Sequence, residues 1–181
     1  MIITISGKPC TGKSTLTKIL SEKYGFEVIR AGEYFKSIAR SMGIDITELS
    51  NSNKIIEIDY KVDDELKKVY NTRLNDNLII ESRTAWSFMP KAFNVFLTVS
   101  EDVMASRLFN SERSVLERGA NIEEAKQKVI SRYNGDNARY KKIYNIECDN
   151  LNNYTFVLDN SNLTPEESAE IIYKEYKKFI I

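Results

Sequence analysis

The feature that most constrains the fold of this chain is a glycine loop near its N-terminus. Residues 7–14 read Gly-Lys-Pro-Cys-Thr-Gly-Lys-Ser, which fits the pattern G-x-x-x-x-G-K-[ST]. The loop follows a β-rich apolar run at residues 2–6 and precedes a helical pattern at about residues 13–24. Glycines let the backbone turn so that successive N–H groups point at phosphate oxygens, and the following helix adds its positive end. The sequence therefore predicts a site for the phosphates of a nucleoside triphosphate.

Two residues of the loop have individual predicted roles. The Lys13 ammonium can bridge the β- and γ-phosphates, and the Ser14 hydroxyl is suited to ligating magnesium. ATP and Mg²⁺ are therefore the expected cofactors. The predicted nucleotide-binding residues are those of the loop and the residue after it: Gly7, Lys8, Pro9, Cys10, Thr11, Gly12, Lys13, Ser14 and Thr15.

Beyond the loop, short apolar runs alternate with amphipathic helical patterns. The apolar runs at residues 78–81 and 95–99 are continuous, which is typical of parallel strands buried on both faces. This alternation predicts a three-layer α/β P-loop NTP hydrolase-like fold with a mostly parallel, five-stranded sheet. The other predicted strands lie at residues 2–6, 26–29 and 155–159, and the helices at about 13–24, 32–42, 55–70, 100–109, 121–144 and from Thr164 onward.

Composition excludes several classes of enzyme. The 181 residues include no histidine, which removes serine–histidine hydrolases, histidine-based acid–base enzymes and the common zinc sites. Phosphoryl transfer remains, because it depends on positioning and on positive charge that lysine, arginine and magnesium supply. The two cysteines, Cys10 and Cys148, lack metal-ligand spacing and are expected to be free thiols.

Charge and hydropathy indicate the setting in which the protein works. The 26 basic and 26 acidic residues balance, so there is no net field to attract nucleic acid or an anionic membrane. No apolar run is long enough for a signal peptide or a membrane span. We expect a cytoplasmic protein with a small-molecule nucleotide substrate, without a nucleic-acid or membrane partner, and we favour a monomer.

Three classes of protein carry such a loop. A GTPase would normally have an N-K-x-D segment, whereas the Asn53-Lys54 pair continues into Ile55-Ile56. A motor or helicase module would be larger and more basic. A kinase for a small molecule remains, and a regulator that binds nucleotides without turnover stays open as an alternative.

Several segments resemble the short, archaeal-type cytidylate kinases within the nucleoside monophosphate kinases, and the likeness runs nearly end to end. Residues 31–36, Ala-Gly-Glu-Tyr-Phe-Lys, are similar to A-G-D-I-F-R, whose arginine meets the acceptor phosphate. Lys36 stands in place of that arginine and keeps its charge without the bidentate fork. The resemblance implies acceptor contacts from Gly32 and Lys36, and Arg40 could share the work of Lys36.

Two further segments imply contacts with the acceptor nucleotide. Residues 57–63 resemble E-I-D-x-x-I-D, and Asp59 and Asp63 lie one helical turn apart, where they could accept hydrogen bonds from a cytosine amino group or a ribose. A surface charge pattern is the alternative. Residues 80–86 resemble L-E-G-R-L-A-G-W, which implies that Arg83 grips the acceptor phosphate and Glu81 holds magnesium-bound water. Ser82 departs from the family's glycine.

A third group lies on one predicted helix. Arg132, Asp136 and Arg139 are spaced by four and three residues, so their side chains share one face. They match the R-x-x-x-D-x-x-R pattern, whose members reach the transferring phosphate and the cytosine in the resembled family. The resemblance implies catalytic roles for Arg132 and Arg139, together with Lys13, and an acceptor contact for Asp136. The alternative is an ion-pair lattice on a surface helix.

The resemblance also implies two mobile or inserted regions within a single domain spanning residues 1–181. An acceptor-binding insertion is expected at about residues 31–72 and a lid at about 110–121. Arg107 matches an arginine that lies against the donor base, whereas Ser111 replaces a second family arginine. Arg113 or Arg118 could close over the γ-phosphate and exclude water.

The resulting hypothesis is an ATP-dependent nucleoside monophosphate kinase that phosphorylates CMP or dCMP. The departures at Lys36, Ser82 and Ser111 keep another small acceptor open: a different nucleotide, dephospho-coenzyme A or a shikimate-like alcohol.

Overall fold

Five parallel strands form the centre of the protein. The computed structural model describes residues 1–44 and 54–181, so the middle of the predicted acceptor-binding insertion, residues 45–53, lies outside the described residues. The strands follow the order β2-β3-β1-β4-β5 across the sheet, and every adjacent pair is parallel. The predicted α/β fold is confirmed. The strands are β1 (Ile2–Gly7), β2 (Glu27–Arg30), β3 (Leu78–Glu81), β4 (Phe93–Thr98) and β5 (Phe156–Asp159).

Helices cover both faces of this sheet. They are α1 (Lys13–Tyr24), α2 (Ala31–Ser41), α3 (Lys54–Thr72), α4 (Glu101–Phe109), α5 (Val115–Arg118), α6 (Ile122–Tyr144) and α7 (Pro165–Phe179). Short 3-10 turns occur at Ala85–Ser87 and Leu151–Asn153. Among the helices of the described residues, none combines the length and the hydropathy needed to cross a bilayer.

Capping residues set the helix boundaries that the sequence predicts. The Thr164 side chain accepts a hydrogen bond from Glu167 N, and the Glu167 carboxylate accepts from Thr164 N, which completes a capping box at α7. The Ser100 side chain caps α4 and the Asn121 side chain caps α6. Each cap satisfies N–H groups that have no partner within their helix, so local sequence alone fixes these starts.

β4 begins two residues before the predicted start. Phe93 and Asn94 pair with Ile3 and Thr4 of β1, although Asn94 interrupts the apolar run from which the strand was predicted. Its amide is tolerated because its side-chain oxygen accepts a hydrogen bond from the Thr4 hydroxyl at 2.6 Å. A buried polar side chain costs little when it has such a partner.

Alternate residues of β1 supply two separate apolar layers. Ile3 and Ile5 are fully buried against α1 and α7, where Leu16, Leu20 and Ile172 meet them. Ile2 points to the opposite face, toward the layer built by α2 and α3. Because β1 lies in the middle of the sheet and is buried throughout, the glycine loop leaves the sheet at its centre, between the two helical layers.

Candidate active site

The phosphate loop is held against the sheet by a contact that requires glycine. Gly7 has a φ of 141°, and a Cβ at this position would lie 2.3 Å from the Leu97 carbonyl oxygen of β4. The next residue donates its backbone N–H to the same oxygen at 3.0 Å. Gly12, with a φ of 79°, ends the loop in the left-handed region and begins α1. The backbone thus approaches β4 closely and then turns into the helix, as the motif predicts.

Lys13 folds back over the loop. Its ammonium donates to the Lys8 carbonyl at 2.7 Å, to the Gly7 carbonyl at 3.1 Å and to the Thr11 hydroxyl at 3.3 Å. Burial lowers the pKa of this ammonium to about 7; the charge of Arg83 acts in the same direction, and that of Glu81 opposes it. Lys13 is therefore held within the loop, beside the N–H groups that would receive a phosphate.

A hydroxyl and a carboxylate meet beside the loop. The Ser14 hydroxyl donates to Glu81 at 3.2 Å, and the far side of the same carboxylate faces Arg30 at 3.4 Å. Oxygen ligands of this kind suit Mg²⁺, which is usually bound by one or two protein groups together with water and phosphate oxygens. Within residues 1–44 and 54–181, no cluster of three acidic or cysteine side chains could hold a metal alone.

Four charged side chains that line the same site alternate in sign. Arg83, after β3, pairs with Asp136 of α6. Asp136 also accepts from Arg139 at 2.9 Å, and Arg139 donates to Asp59 of α3 at 2.9 Å. This acceptor cluster, Arg83, Asp136, Arg139 and Asp59, therefore brings together residues from three distant segments that the sequence singled out separately.

Two of the five carboxylates of α3, those of Asp59 and Asp63, are buried. Asp59 is 7% exposed and Asp63 is 5% exposed, so the alternative of a surface charge pattern is wrong for both. Asp63 accepts a hydrogen bond from the Thr84 hydroxyl at 2.7 Å. Burial raises the pKa of both carboxyls; Arg139 opposes the rise in Asp59 and hydrogen bonds oppose it in Asp63. Buried carboxylates that carry one or two partners remain able to accept a further donor.

One large open cavity, about 1560 Å³ in volume, joins the phosphate loop to the acceptor cluster. The loop forms one wall, α2 and α3 form another, and the exposed side of α6 forms a third. Gly135, in the middle of α6, lies on this wall. The predicted site residues that line the cavity are Pro9, Cys10, Thr11, Gly12, Lys13, Ser14, Thr15, Gly32, Lys36, Asp59, Asp63, Glu81, Arg83, Arg132, Asp136 and Arg139.

Arg40 is exposed and lies outside the cavity. The residues at the start of α2 line the cavity, and Lys36 still reaches it one turn later. Arg40 lies a further turn along the helix, about 6 Å beyond Lys36 along the axis. The structure therefore does not bring Arg40 together with the other acceptor residues.

Arg107 lies behind the phosphate loop. Its guanidinium donates to the Cys10 carbonyl at 3.4 Å and to the backbone oxygen of Asn160 at 3.0 Å. Asn160, which follows β5, in turn donates to the Thr11 carbonyl at 2.8 Å.

Sequence reasoning missed Asn160 and Arg30. Their signal was a polar residue at the carboxyl end of a parallel strand, where ligands of such sheets bind.

The predicted lid contains a single helical turn, α5. Of its two arginines, Arg113 lines the cavity together with Leu116. Arg118 instead donates to the Phe109 carbonyl at 3.1 Å and packs over the Phe109 ring. Of the two arginines in the predicted lid, Arg113 is therefore the one that faces the cavity.

Sequence comparison identifies relatives along nearly the whole chain. The family described as AAA domain matches residues 3–152. A cytidylate kinase from Methanococcus maripaludis (strain C5) is 33% identical over 180 residues, covering 96% of this chain and 96% of that protein. A cytidylate kinase from Methanococcoides burtonii is 31% identical over 163 residues, covering 89% of this chain and 88% of that protein.

A solved structure supports the fold independently. The shikimate kinase from Bacteroides thetaiotaomicron superimposes with a TM-score of 0.66 at 17% identity and covers 99% of this chain and 98% of that one. At this identity the likeness concerns the fold alone. The sequence matches extend over nearly the whole chain, and the phosphate loop and the acceptor cluster line one cavity, as expected of a kinase. This chain belongs to the cytidylate kinase family of P-loop kinases.

Proposed function

We propose that this protein transfers the γ-phosphoryl group of ATP to CMP or dCMP. The observation that carries the proposal is the pair of buried Asp59 and partly buried Arg139, 2.9 Å apart, in the wall of the cavity. Cytosine carries an amino group that donates hydrogen bonds, next to a ring nitrogen that accepts one. A carboxylate beside a guanidinium offers the complementary arrangement of acceptor and donor.

The remaining cations of the site suit the phosphates. Arg83 and Arg132 also line the cavity, and, besides burial, the positive charge of each helps to lower the pKa of Lys13. Arg83 is paired with Asp136, and a phosphate dianion can replace that carboxylate through two parallel hydrogen bonds. We assign Arg83 and Lys36 to the acceptor phosphate, and Arg132 and Lys13 to the charge that develops on the transferring group.

No general base is required for this reaction. An oxygen of the acceptor phosphate attacks the γ-phosphorus, and the bond between that phosphorus and the bridging oxygen breaks, leaving ADP. The attacking oxygen is already anionic, so orientation and electrostatic stabilisation supply the rate enhancement. Lys13 lies beside the loop carbonyls, and the acceptor cluster lines the same cavity, an arrangement suited to bringing the two phosphates together.

The side chains beside the loop fit a magnesium ion. Ser14 would ligate it directly and Glu81, 3.2 Å from that hydroxyl, would hold one of its waters. When bound with ATP, Mg²⁺ neutralises charge on the β- and γ-phosphates. We further assign residues 31–72 to an acceptor-binding insertion and 110–121 to a lid within a single domain, and we place the protein in the cytoplasm, where free thiols persist.

A coupled assay of ADP release tests the substrate assignment. The acceptors would be CMP, dCMP, UMP, AMP, GMP, dephospho-coenzyme A and shikimate, each with Mg²⁺ and ATP. We expect turnover with CMP and dCMP. Lys13→Met should abolish it, whereas Lys18→Met should not, because Lys18 lies on the same helix with its side chain 70% exposed.

Two results would overturn the proposal. Turnover with another acceptor but not with CMP or dCMP would show that the acceptor is wrong. Binding of ATP without ADP release from any acceptor would instead indicate a nucleotide-binding regulator.

A further inference from the structure

Two side chains behind the phosphate loop hold its carbonyl groups. Asn160 donates its side-chain N–H to the Thr11 carbonyl at 2.8 Å, and Arg107 donates to the Cys10 carbonyl at 3.4 Å. The two are joined to each other, because Arg107 also donates to the Asn160 side-chain oxygen at 3.4 Å and to its backbone oxygen at 3.0 Å. We call Asn160 and Arg107 the carbonyl clamp.

Asn160 and its partner Thr11 are buried, and Asn160 is anchored to the sheet. Asn160 is 5% exposed and Thr11 is 1% exposed. The backbone N–H of Asn160 donates to the Thr98 carbonyl of β4 at 3.0 Å, which fixes Asn160 directly after β5. The clamp therefore connects the last two strands of the sheet to a loop that begins about 150 residues earlier in the chain.

The orientation of carbonyls matters because of how such a loop binds phosphate. Successive N–H groups must point toward the ligand, so the carbonyls of the same peptide units point away from it. Carbonyls directed into the protein need donors, since a buried polar group without a partner destabilises that conformation. Cys10 has a φ of 57°, a region that non-glycine residues adopt at a cost, so this part of the loop depends on external contacts.

We propose that Asn160 is a positioning residue for polyphosphate binding. Its amide holds the Thr11 carbonyl directed into the protein and away from the ligand, and so keeps the loop N–H groups directed at the phosphates. It acts through the loop and through Arg107 rather than by touching the nucleotide, since it does not line the cavity. The inference concerns the triphosphate end of the site and holds whichever acceptor is phosphorylated.

Asn160→Asp is the sharpest test. The carboxylate keeps the shape of the side chain and can still accept from Arg107, but it cannot donate to the Thr11 carbonyl. Asn162→Asp introduces the same charge two residues later, at an exposed position, and is the matched control. Asn160→Leu removes the donor without adding charge.

The measurement is the affinity for magnesium tripolyphosphate, obtained by displacement of a fluorescent ATP analogue, together with KM for ATP, KM for the acceptor and kcat. We expect Asn160→Asp and Asn160→Leu to weaken tripolyphosphate binding and raise KM for ATP by about tenfold, because a buried carbonyl loses its donor. KM for the acceptor should stay within about twofold. The Asn162→Asp control should match the parent chain in all four quantities.

Hydrogen exchange separates positioning from a purely structural role. In the nucleotide-free Asn160 variants, the amides of residues 8–14 should exchange faster while those of β1 and β4 keep their protection. Unchanged tripolyphosphate affinity in folded Asn160→Asp or Asn160→Leu would overturn the proposal. So would an equal loss of affinity in the Asn162→Asp control, since that would assign the effect to charge alone. If Asn160→Leu does not fold, Asn160→Asp decides the question, because it keeps the contact with Arg107.

Discussion

Nucleotide binding should take up a proton at Lys13. In the free protein burial lowers the pKa of this ammonium to about 7. A triphosphate placed against it favours the charged form and raises its pKa. The complex then binds more protons at this group than the free protein does. The affinity for magnesium ATP should therefore be highest below about pH 7 and should fall as the pH rises above that value.

The size of the effect follows from that pKa. At about pH 8, a group with a pKa of about 7 is roughly nine-tenths neutral, so binding should take up about 0.9 proton per site. Between about pH 7 and pH 8 the affinity should weaken about fivefold, and at higher pH the loss should approach tenfold per pH unit, which corresponds to about 1.4 kcal/mol. For a lysine with an ordinary pKa the proton uptake would be close to zero and the affinity would not change over this range.

Isothermal titration calorimetry at about pH 8 measures the proton directly. The apparent binding enthalpy is determined in several buffers with different ionisation enthalpies, and the slope gives the number of protons taken up. The nucleotide is magnesium ATP, which is itself deprotonated at this pH. Lys13→Met should reduce the slope to near zero, whereas Lys18→Met should leave it unchanged. An uptake below about 0.3 proton in the parent chain, or equal uptake in Lys13→Met, would refute the reasoning.

Three further predictions concern stability and reactivity. Gly7→Ala should lower the unfolding midpoint far more than Gly12→Ala, because an added Cβ meets a backbone oxygen at 2.3 Å in the first case and no atom within 4 Å in the second. In urea titrations we expect the free energy of unfolding to fall by about 3 kcal/mol for Gly7→Ala and by about 1 kcal/mol for Gly12→Ala. Equal losses would contradict the close approach of the loop to β4. Arg139→Met leaves Asp59 buried without its cation and should cost about 2–3 kcal/mol near pH 7. That loss should shrink toward pH 5, since a carboxyl whose folded pKa is raised favours the folded state as it protonates; a loss independent of pH would argue against the pair. The Cys148 thiol, 4% exposed and with its pKa raised by burial to about 11, should resist iodoacetamide until the protein unfolds, and mass spectrometry showing rapid labelling of Cys148 in the native state would contradict its burial.

Local signals in the sequence predicted the framework of the fold well. The phosphate loop, the capping residues of α4, α6 and α7, and the apolar strands all depend on contacts within a few residues of one another. For example, Thr164 and Glu167 form their capping box without help from the rest of the chain. Where a strand contains a polar residue, as β4 does at Asn94, its stability depends on a partner from another strand. That partner is not visible in the local pattern, so the predicted boundary was wrong.

The acceptor side of the site was predictable only in part. Helical spacing placed Arg132, Asp136 and Arg139 on one face, and the structure keeps them there. Spacing within α3 could not distinguish a buried Asp59 from an exposed one, because its burial and its ion pair with Arg139 of α6 depend on elements distant in sequence. Asn160 was not predicted for a related reason. Its position after a parallel strand was visible in the sequence, but its partner is a backbone carbonyl, which every residue has, so no side-chain pattern indicates the contact.

Gly135 shows a compromise between helix stability and room for a ligand. Glycine in the interior of a helix is less stable than alanine by about 1 kcal/mol, and nothing in the protein forbids a larger residue, since an added Cβ would meet no atom within 4 Å. The position faces the cavity beside Arg132 and Asp136. A methyl group there would fill space that now opens into the cavity, so α6 keeps a less stable residue near its middle and exposes bare backbone at the cavity wall.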